Sequence, residues 1–383
     1  MSTAATRKPH IVLVGHYLGE YVFGAERALL DVLGAVDRER YDLSCVFPTR
    51  NEAYLAAVAE YTSNITVFPY RWSNKYPDEA TITRFEAIFR DARVDLVHVN
   101  SITLIDPLLA ARRVDVPSIL HARELISQNV DLAKFLGHDP ADVVREIRAA
   151  ADFIIADSDI VRQVMHKPNR SFRLYNTVDV TRLDLPNVLE PGKLKVGILS
   201  NNQAHKGIER FVSLAILAGR RRPDLEFIVF GPRTEHVEML EQSLLREGHP
   251  VNLRFAGYVA GPAEAIRQVN VVVSFSIVGE AFGLTMAEAM AARRPVIAYN
   301  HGAAPELVRH GRDGFIVPYL DIETALEHLG GLADNPERVL KMGRNGRARA
   351  EQLFSREVYR PQLNGIYGEV LKMWGARGGA GAG

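Results

Sequence analysis

At 383 residues, with 47% apolar and 24% charged side chains, the chain has the make-up of a globular protein and the length of two domains rather than one. Its 46 basic and 46 acidic side chains cancel, which argues against a nucleic-acid footprint. The single cysteine, Cys45, lies in the apolar run LSCVF, so a disulfide framework is excluded and a core position in a reducing compartment is expected.

The first apolar run, His10 to Val14, reads as a buried strand of an α/β sheet. A long turn follows, and a helix begins near Ala25. LSCVFP and ITVFPY read as strands separated by the helical NEAYLAAVAEY, and a helix is expected over 81–92. Strands are expected at 94–99, at the start of PSILHARE, at FIIADS and at SFRLYNTVD. The stretch 184–193, DLPNVLEPGK, has two prolines and little periodicity and reads as a linker. Beyond it the alternation restarts. KVGILS, LEFIVFG, LRFAGY, VVVSFS, PVIAY and GFIVP read as strands, with helices between them and two more over 322–332 and 336–352. An aromatic-rich helical stretch, 354–374, must pack somewhere, and packing on the first half would couple the two. Strands alternating with helices imply parallel pairing through right-handed crossovers. The expected architecture is two doubly wound Rossmann-like domains. Residues 1–187, completed by 356–376, form the first, residues 188–355 the second, and 377–383 a disordered Gly/Ala-rich tail. Ligands of such sheets bind beyond the carboxyl ends of the strands, and with two domains the cleft between them is the natural place.

The stretch 274–295, SFSIVGEAFGLTMAEAMAARRP, concentrates the chemistry. It follows an apolar strand, carries Glu280 and Glu288 with seven residues between them, and places Gly283 before a helix of small and apolar residues. A glycine turn into a helix N-terminus presents backbone N–H groups and the positive end of a dipole to an anion. Two carboxylates beside it suit hydroxyls. A diphosphate with hydroxyls on either side is a nucleotide-sugar.

These motifs resemble the retaining glycosyltransferases of family 4, which have the GT-B fold. The resemblance rests on Glu280 and Glu288 as E-x7-E, on EAFGLTMAEAMA, PVIA, HGAAPELV and GRDGFIVP, and on Lys206-Gly207 and Phe230-Gly231 upstream. In the first half it rests on Gly24-Ala25-Glu26-Arg27, on His121, and on Tyr175 to Asp179. The resemblance implies a hexosyl transfer from a UDP- or GDP-sugar to a hydroxyl of a glycan, lipid or small-molecule acceptor. In it, a phosphate oxygen of the leaving group assists deprotonation of the acceptor on the same face.

The family's roles carry over residue by residue. Glu288 would hold the ribose hydroxyls and Glu280 the donor sugar. Phe282, Gly283, Leu284 and Thr285 would offer backbone N–H groups, and Lys206 would meet the diphosphate, with Gly231 nearby. Gly24 would bring the first domain's backbone to the phosphates, and His121 would contact the sugar near its reacting carbon. Tyr258 and Val259 are candidates for the base, and Glu264 is the nearest carboxylate for a guanine, which leaves UDP and GDP both open. His16, Tyr17, Asn100, Arg123 and Glu124, with His98, are acceptor-side candidates. The chain departs from the family twice. Asn201 stands where an arginine is usual, so His205 or Arg233 would have to supply that charge, and Arg293 stands where a glycine is usual after the helix. No dedicated metal site and no cofactor beyond the donor are expected, because Asp157-Ser158-Asp159 reads as a turn and helix cap. Rival readings are a nucleotide-sugar epimerase or hydrolase of the same fold and a non-catalytic nucleotide-sugar-binding protein. A nicotinamide dehydrogenase is disfavoured, since no G-x-G-x-x-G follows a strand. No apolar run reaches the roughly eighteen residues of a membrane span and no secretion signal is evident, so a cytoplasmic enzyme, free or peripheral at the membrane, is expected.

Overall fold

A computed structural model of the protein describes residues 7–16, 22, 24–72, 76–137, 139–248 and 250–379. They fall into two compact units, one running to Asn176 and resuming at Glu357, the other running from Thr177 to Arg356. Tyr17 and residues 380–383 of the expected tail lie outside the described residues.

The first unit holds strands β1 (His10–Val14), β2 (Asp42–Phe47), β3 (Ile65–Val67), β4 (Leu96–Val99), β5 (Ser118–Ala122), β6 (Phe153–Ala156) and β7 (Ser171–Arg173). They pair in parallel in the order β3-β2-β1-β4-β5-β6-β7. β1, β4, β5 and β6 are buried along their whole length, which is why they read as unbroken apolar runs rather than as alternating ones. Four helices were not signalled by apolar periodicity: Asp106–Arg113, Val130–Phe135, Pro140–Ala150 and Asp159–Val164. Local chemistry starts all four, Asn129 capping Val130–Phe135 by accepting from Leu132 N–H at 3.0 Å. A proline occupies the first turn of Asp106–Arg113 and of Pro140–Ala150. Ser158 caps Asp159–Val164 by accepting from Val161 N–H.

The second unit holds β8 (Leu194–Leu199), β9 (Leu225–Phe230), β10 (Leu253–Gly257), β11 (Val271–Ser274), β12 (Val296–Tyr299) and β13 (Gly314–Val317). These too are parallel, in the order β10-β9-β8-β11-β12-β13. Each sheet reverses direction once, between β1 and β4 in the first unit and between β8 and β11 in the second. At such a point the crossovers leave to opposite sides and a crevice opens beyond the carboxyl ends.

The last helix, Arg356–Gly379, packs on the first unit. Tyr359, Leu363, Ile366, Tyr367 and Val370 join its core. Asn364 fixes the helix position by donating to Ala35 O at 2.8 Å and accepting from Asp37 N–H at 2.9 Å. Thr177 and Val178 both donate to Phe354 O at 2.8 Å, which binds the start of the second unit to its end.

Arg293 follows the helix Leu284–Ala291 at φ +60°, the left-handed conformation that glycine adopts most cheaply. Its guanidinium pairs with Asp184, and its carbonyl accepts from Asn187 Nδ2 at 3.1 Å. A left-handed residue costs about 1 kcal/mol, and a partly exposed ion pair stabilises by about that much at most. The two effects nearly cancel. Arg293→Gly should therefore stay within about 1 kcal/mol of wild type in urea unfolding, while Arg293→Ala, which keeps the strain and loses the pair, should be less stable than the glycine variant. The reverse order would show that strain at this residue is not what its pair offsets.

Candidate active site

In the second unit the sequence-singled residues gather on the loops after β8 and β11, at the reversal of the sheet. Lys206 ends a short 3-10 turn, Ala204–Lys206, and Gly207 then turns the chain into the helix Ile208–Arg221 at φ +76°. A Cβ on Gly207 would sit 1.9 Å from Phe275 O, so only glycine lets these two loops touch. His205 O accepts from Ile277 N–H at 2.8 Å and from Ser276 Oγ at 3.3 Å. The β8 loop is thus fastened to the β11 loop. Lys206 Nζ consequently lies 2.7 Å from Glu280 Oε1, both side chains about a quarter exposed. Burial works to raise the Glu280 pKa, but Lys206, His205 and Ser276 outweigh it and hold the carboxyl below its usual value, so it is ionised at neutral pH.

A third loop supports Glu280. Gly302, after β12, has φ +54°, and a Cβ there would come within 2.6 Å of both Glu280 N and O. Ala303 N–H donates to Glu280 O at 2.9 Å. Next along, Phe282 packs edge-on against Phe354 with centroids 5.3 Å apart, and Gly283 caps Leu284–Ala291. The first N–H groups of this helix, from Leu284 and Thr285, have no partner within the helix and face outward from its end. Thr285 Oγ1 reaches back to Leu199 O at 3.4 Å, tying the helix to the end of β8. Glu288 is buried in the same helix, 3% exposed.

The remaining candidates of this unit lie around these loops. Gly231 follows β9, its N–H donating to Gly257 O at 3.0 Å. Asn201 is half-buried, and its Oδ1 accepts from Gln203 N–H at 3.4 Å. Arg233 is exposed and lies against the helix Glu235–Glu247, 2.6 Å from Glu241 and 3.7 Å from Glu238, so its charge is already matched. Tyr258 is exposed and Val259 half-buried on the loop after β10. Glu264 pairs with Arg267 at 3.1 Å.

The first unit presents a buried polar network instead. The β5–β6 register pairs His121 with Ile155 and Ala122 with Ala156, which sets Arg123 and Asp157 just past neighbouring strand ends. Arg123 donates from Nε to Asn100 Oδ1 (2.7 Å), from a terminal nitrogen to Asn176 Oδ1 (2.6 Å), and from the other to His121 Nδ1 (3.1 Å). Asn176 Nδ2 donates to Asp157 Oδ2 at 2.8 Å. Because a guanidinium only donates, His121 Nδ1 is an acceptor, and its proton is on Nε2, 2.8 Å from Asp157 Oδ1. His98 Nε2 donates to the same Nδ1 at 3.2 Å, so His98 Nδ1 accepts from Tyr367 O–H at 2.7 Å. Both rings are 0% exposed.

The structure therefore brings His121, Arg123 and Asn100 together, and places His121 inside the unit rather than at its surface. Asp157 and Tyr367 belong to this network and were not singled out as site residues. Asp157 looked like a helix cap, and Tyr367 is 269 residues from His98. His16 is buried near the end of β1, with Nε2 3.2 Å from Glu26 Oε1. Glu124 is half-buried, accepts from Ser101 Oγ at 2.7 Å, and is pushed above its usual pKa by burial. Gly24 opens the helix Gly24–Ala35, whose start is held by Asn100 Nδ2 donating to Ala25 O at 3.3 Å.

Comparison with known proteins identifies the class to which these two α/β units belong, the glycosyltransferases. Residues 22–182 match the model described as Glycosyltransferase Family 4, and residues 184–349 the model described as Glycosyl transferases group 1. The chain belongs to the family 4 glycosyltransferases. The lipopolysaccharide core biosynthesis mannosyltransferase LpsB of Rhizobium meliloti is 28% identical over 190 residues, a match that spans 48% of this chain and only 54% of that one. The phosphatidyl-myo-inositol mannosyltransferase of Mycolicibacterium smegmatis is 25% identical over 313 residues, 79% of this chain and 76% of that one. Among solved structures, Anabaena Alr3699/HepE in complex with UDP and glucose superposes with a TM-score of 0.77 at 20% identity, covering 95% of this chain and all of that one. TarM superposes at 0.78 with 12% identity over 94% of this chain and 99% of that one. These likenesses establish the GT-B fold.

Burial, followed by the Arg123 charge, pushes the His121 pKa down to about 4 against the pull of Asp157, and His98 is held well below its usual range by burial, His121 and Arg123. In the unfolded chain both rings take up a proton near pH 6.5. The unfolded state then binds more protons as pH falls below about 6.5, so stability is full above that value and is lost on acidification toward about pH 4. At pH 5 the loss should be about 2 kcal/mol per ring relative to pH 7. Both tryptophans, Trp72 and Trp374, lie in this unit, so fluorescence-detected urea unfolding reports on it. The midpoint should fall between pH 7 and 5, and His98→Asn should flatten the dependence; a midpoint that ignores pH in the wild type would refute the buried neutral rings.

Proposed function

We propose that the enzyme is a retaining hexosyltransferase that uses a nucleoside diphosphate hexose, UDP- or GDP-linked, and an acceptor hydroxyl. The observation that carries this reading is the Lys206–Glu280 pair at the mouth of the helix Leu284–Ala291. A pair this exposed stabilises by about 1 kcal/mol, little enough for a ligand to exchange it. A diphosphate with two charges draws Lys206 to itself and leaves Glu280 free to accept from the sugar hydroxyls. The N–H groups of Leu284 and Thr285 meet the phosphates, and Glu288, one turn further in, accepts from the ribose hydroxyls.

Charge grows on the β-phosphate as the sugar–oxygen bond breaks. Lys206 and the helix terminus are already aimed at that charge, so they stabilise the transition state more than the ground state. The same phosphate oxygen accepts the acceptor's proton on the face it leaves, which gives retention. His121, inside the first unit, acts as a positioning residue for Arg123 and Asn100 on the acceptor side. The structural neighbour solved with UDP and glucose supports a UDP-sugar, and the mannosyltransferases among the relatives support a mannosyl unit as the hexose.

Lys206→Ala should lower kcat by about a hundredfold or more, with a smaller change in KM for the donor. Glu288→Ala should lower kcat/KM for the donor by about a hundredfold, the worth of two lost hydrogen bonds to a charged acceptor. A thermal-shift screen with UDP, GDP and ADP identifies the nucleotide, which should stabilise wild type and not Glu288→Ala. Undiminished donor turnover in Glu288→Ala, or a product whose anomeric proton shows the opposite configuration to the donor, would sink this reading.

A further inference from the structure

A second concave site lies in the second unit at the other edge of its sheet. Lys206 and Glu280 follow β8 and β11 at their carboxyl ends. Gly311 and Arg312, by contrast, precede β13, and since all six strands are parallel they stand at the amino edge. With the first turns of the helix Pro336–Leu353 they line a cavity of about 600 Å³.

Four cations face it: Arg312, Arg338, Lys341 and Arg344, all exposed. The last three recur every third residue, which sets them in one stripe along the helix. Arg338 is anchored, its guanidinium 5.0 Å from the Phe315 ring centroid, and its N–H is capped by Asn335 Oδ1 at 3.0 Å. Three other arginines of this unit are matched. Arg222 meets Asp224 and Asp334, Arg309 grips Asp313 with two nitrogens at 2.6 Å, and Arg293 holds Asp184. Among the described residues none of the four groove cations has a carboxylate within 4.0 Å. The one acidic residue lining the cavity is Glu337. In a chain whose formal charges cancel, four unmatched cations around one concavity, beside the positive end of an eighteen-residue helix, make a local positive field that favours an anion.

We propose that this groove is a second anion site, taking the phosphate group of a ligand distinct from the sugar donor. Arg312 and Arg344 provide planar, forked donors for phosphate oxygens, Lys341 a point charge, and Arg338 a fixed wall. A free phosphate compound and a phospholipid headgroup share this chemistry. The inference stands apart from the donor reading, since it uses neither the residues nor the sheet edge of that site.

The test compares full-length wild type, Lys341→Ala/Arg344→Ala and Glu337→Gln. Inorganic pyrophosphate is titrated by calorimetry, and vesicles of phosphatidylglycerol or of phosphatidylcholine are used in sedimentation, each at low and high salt. The double variant should lose about tenfold or more in affinity for pyrophosphate or for the phosphatidylglycerol vesicles. Glu337→Gln should bind more tightly, an effect that damage to the fold cannot imitate, and salt should weaken both. A loss in the pyrophosphate arm alone assigns a free phosphate ligand, and a loss in the vesicle arm alone assigns a headgroup. Wild type that binds neither probe, or variants that bind both as wild type does, would overturn the proposal.

Discussion

The contact between Lys206 and Glu280 exists because β8 and β11 are neighbours whose crossovers depart to opposite sides. The reversal leaves two loops side by side beyond the strand ends with no helix between them. Bringing them to touching distance requires backbone without side chains, which Gly207 supplies against Phe275 O and Gly302 against the backbone of Glu280. Once the loops are fastened, a cation and a carboxylate stand 2.7 Å apart above the start of the helix Leu284–Ala291. The geometry of the site is therefore a consequence of sheet order first, of glycine second, and of the charged side chains last.

That hierarchy explains what the sequence made legible. Buried parallel strands are continuous apolar runs, which is why β1, β4, β5, β6 and β12 were readable; the half-buried β3 and β7 were readable from the strand–helix alternation around them. The loops after β8, β11 and β12 were readable because glycines and charges in them serve local geometry. The first unit's network was not. Asp157 follows a strand and precedes a capped helix, so its local context explained it fully, and only the β5–β6 register brings it to His121 and Arg123. Tyr367 reaches His98 through the fold of a helix that begins more than two hundred residues later. Contacts of that span leave no periodicity to detect. The four helices not read from the sequence are short, and each starts from a proline or from a serine or asparagine cap rather than from a long apolar stripe.

The two units handle charge in opposite ways. In the first, Arg123 and Asp157 are removed from water, and Asn100, Asn176 and His121 surround them. Breaking one partner of such a buried pair is costly, while the pair itself contributes little net stability, so its value is in holding one arrangement. The neutral tautomers of His98 and His121 follow from that arrangement, not the other way about. In the second unit, Lys206 and Glu280 keep part of their hydration and can separate at small cost.

The departure at Asn201 is best understood through the same exchange. Asn201 brings a neutral amide to a place where the family resemblance implies a guanidinium; of the two alternatives, His205 lies beside Glu280 and helps lower its pKa, and Arg233 is matched by Glu241 and Glu238. On the proposed reading, the cationic stabilisation of a diphosphate rests on Lys206 and on the N–H groups at the start of Leu284–Ala291. A single lysine compensates best where its own counter-ion is withdrawn at the moment of binding. Glu280 does this if the donor sugar's hydroxyls take over its oxygens, since the carboxylate then spends its charge on the sugar and exposes the full charge of Lys206 to the phosphates. Sugar recognition and phosphate activation become one event. On the same reading, a nucleoside diphosphate without its sugar would leave Glu280 competing for Lys206, so the sugar would contribute to phosphate binding through a residue it touches and a residue it does not.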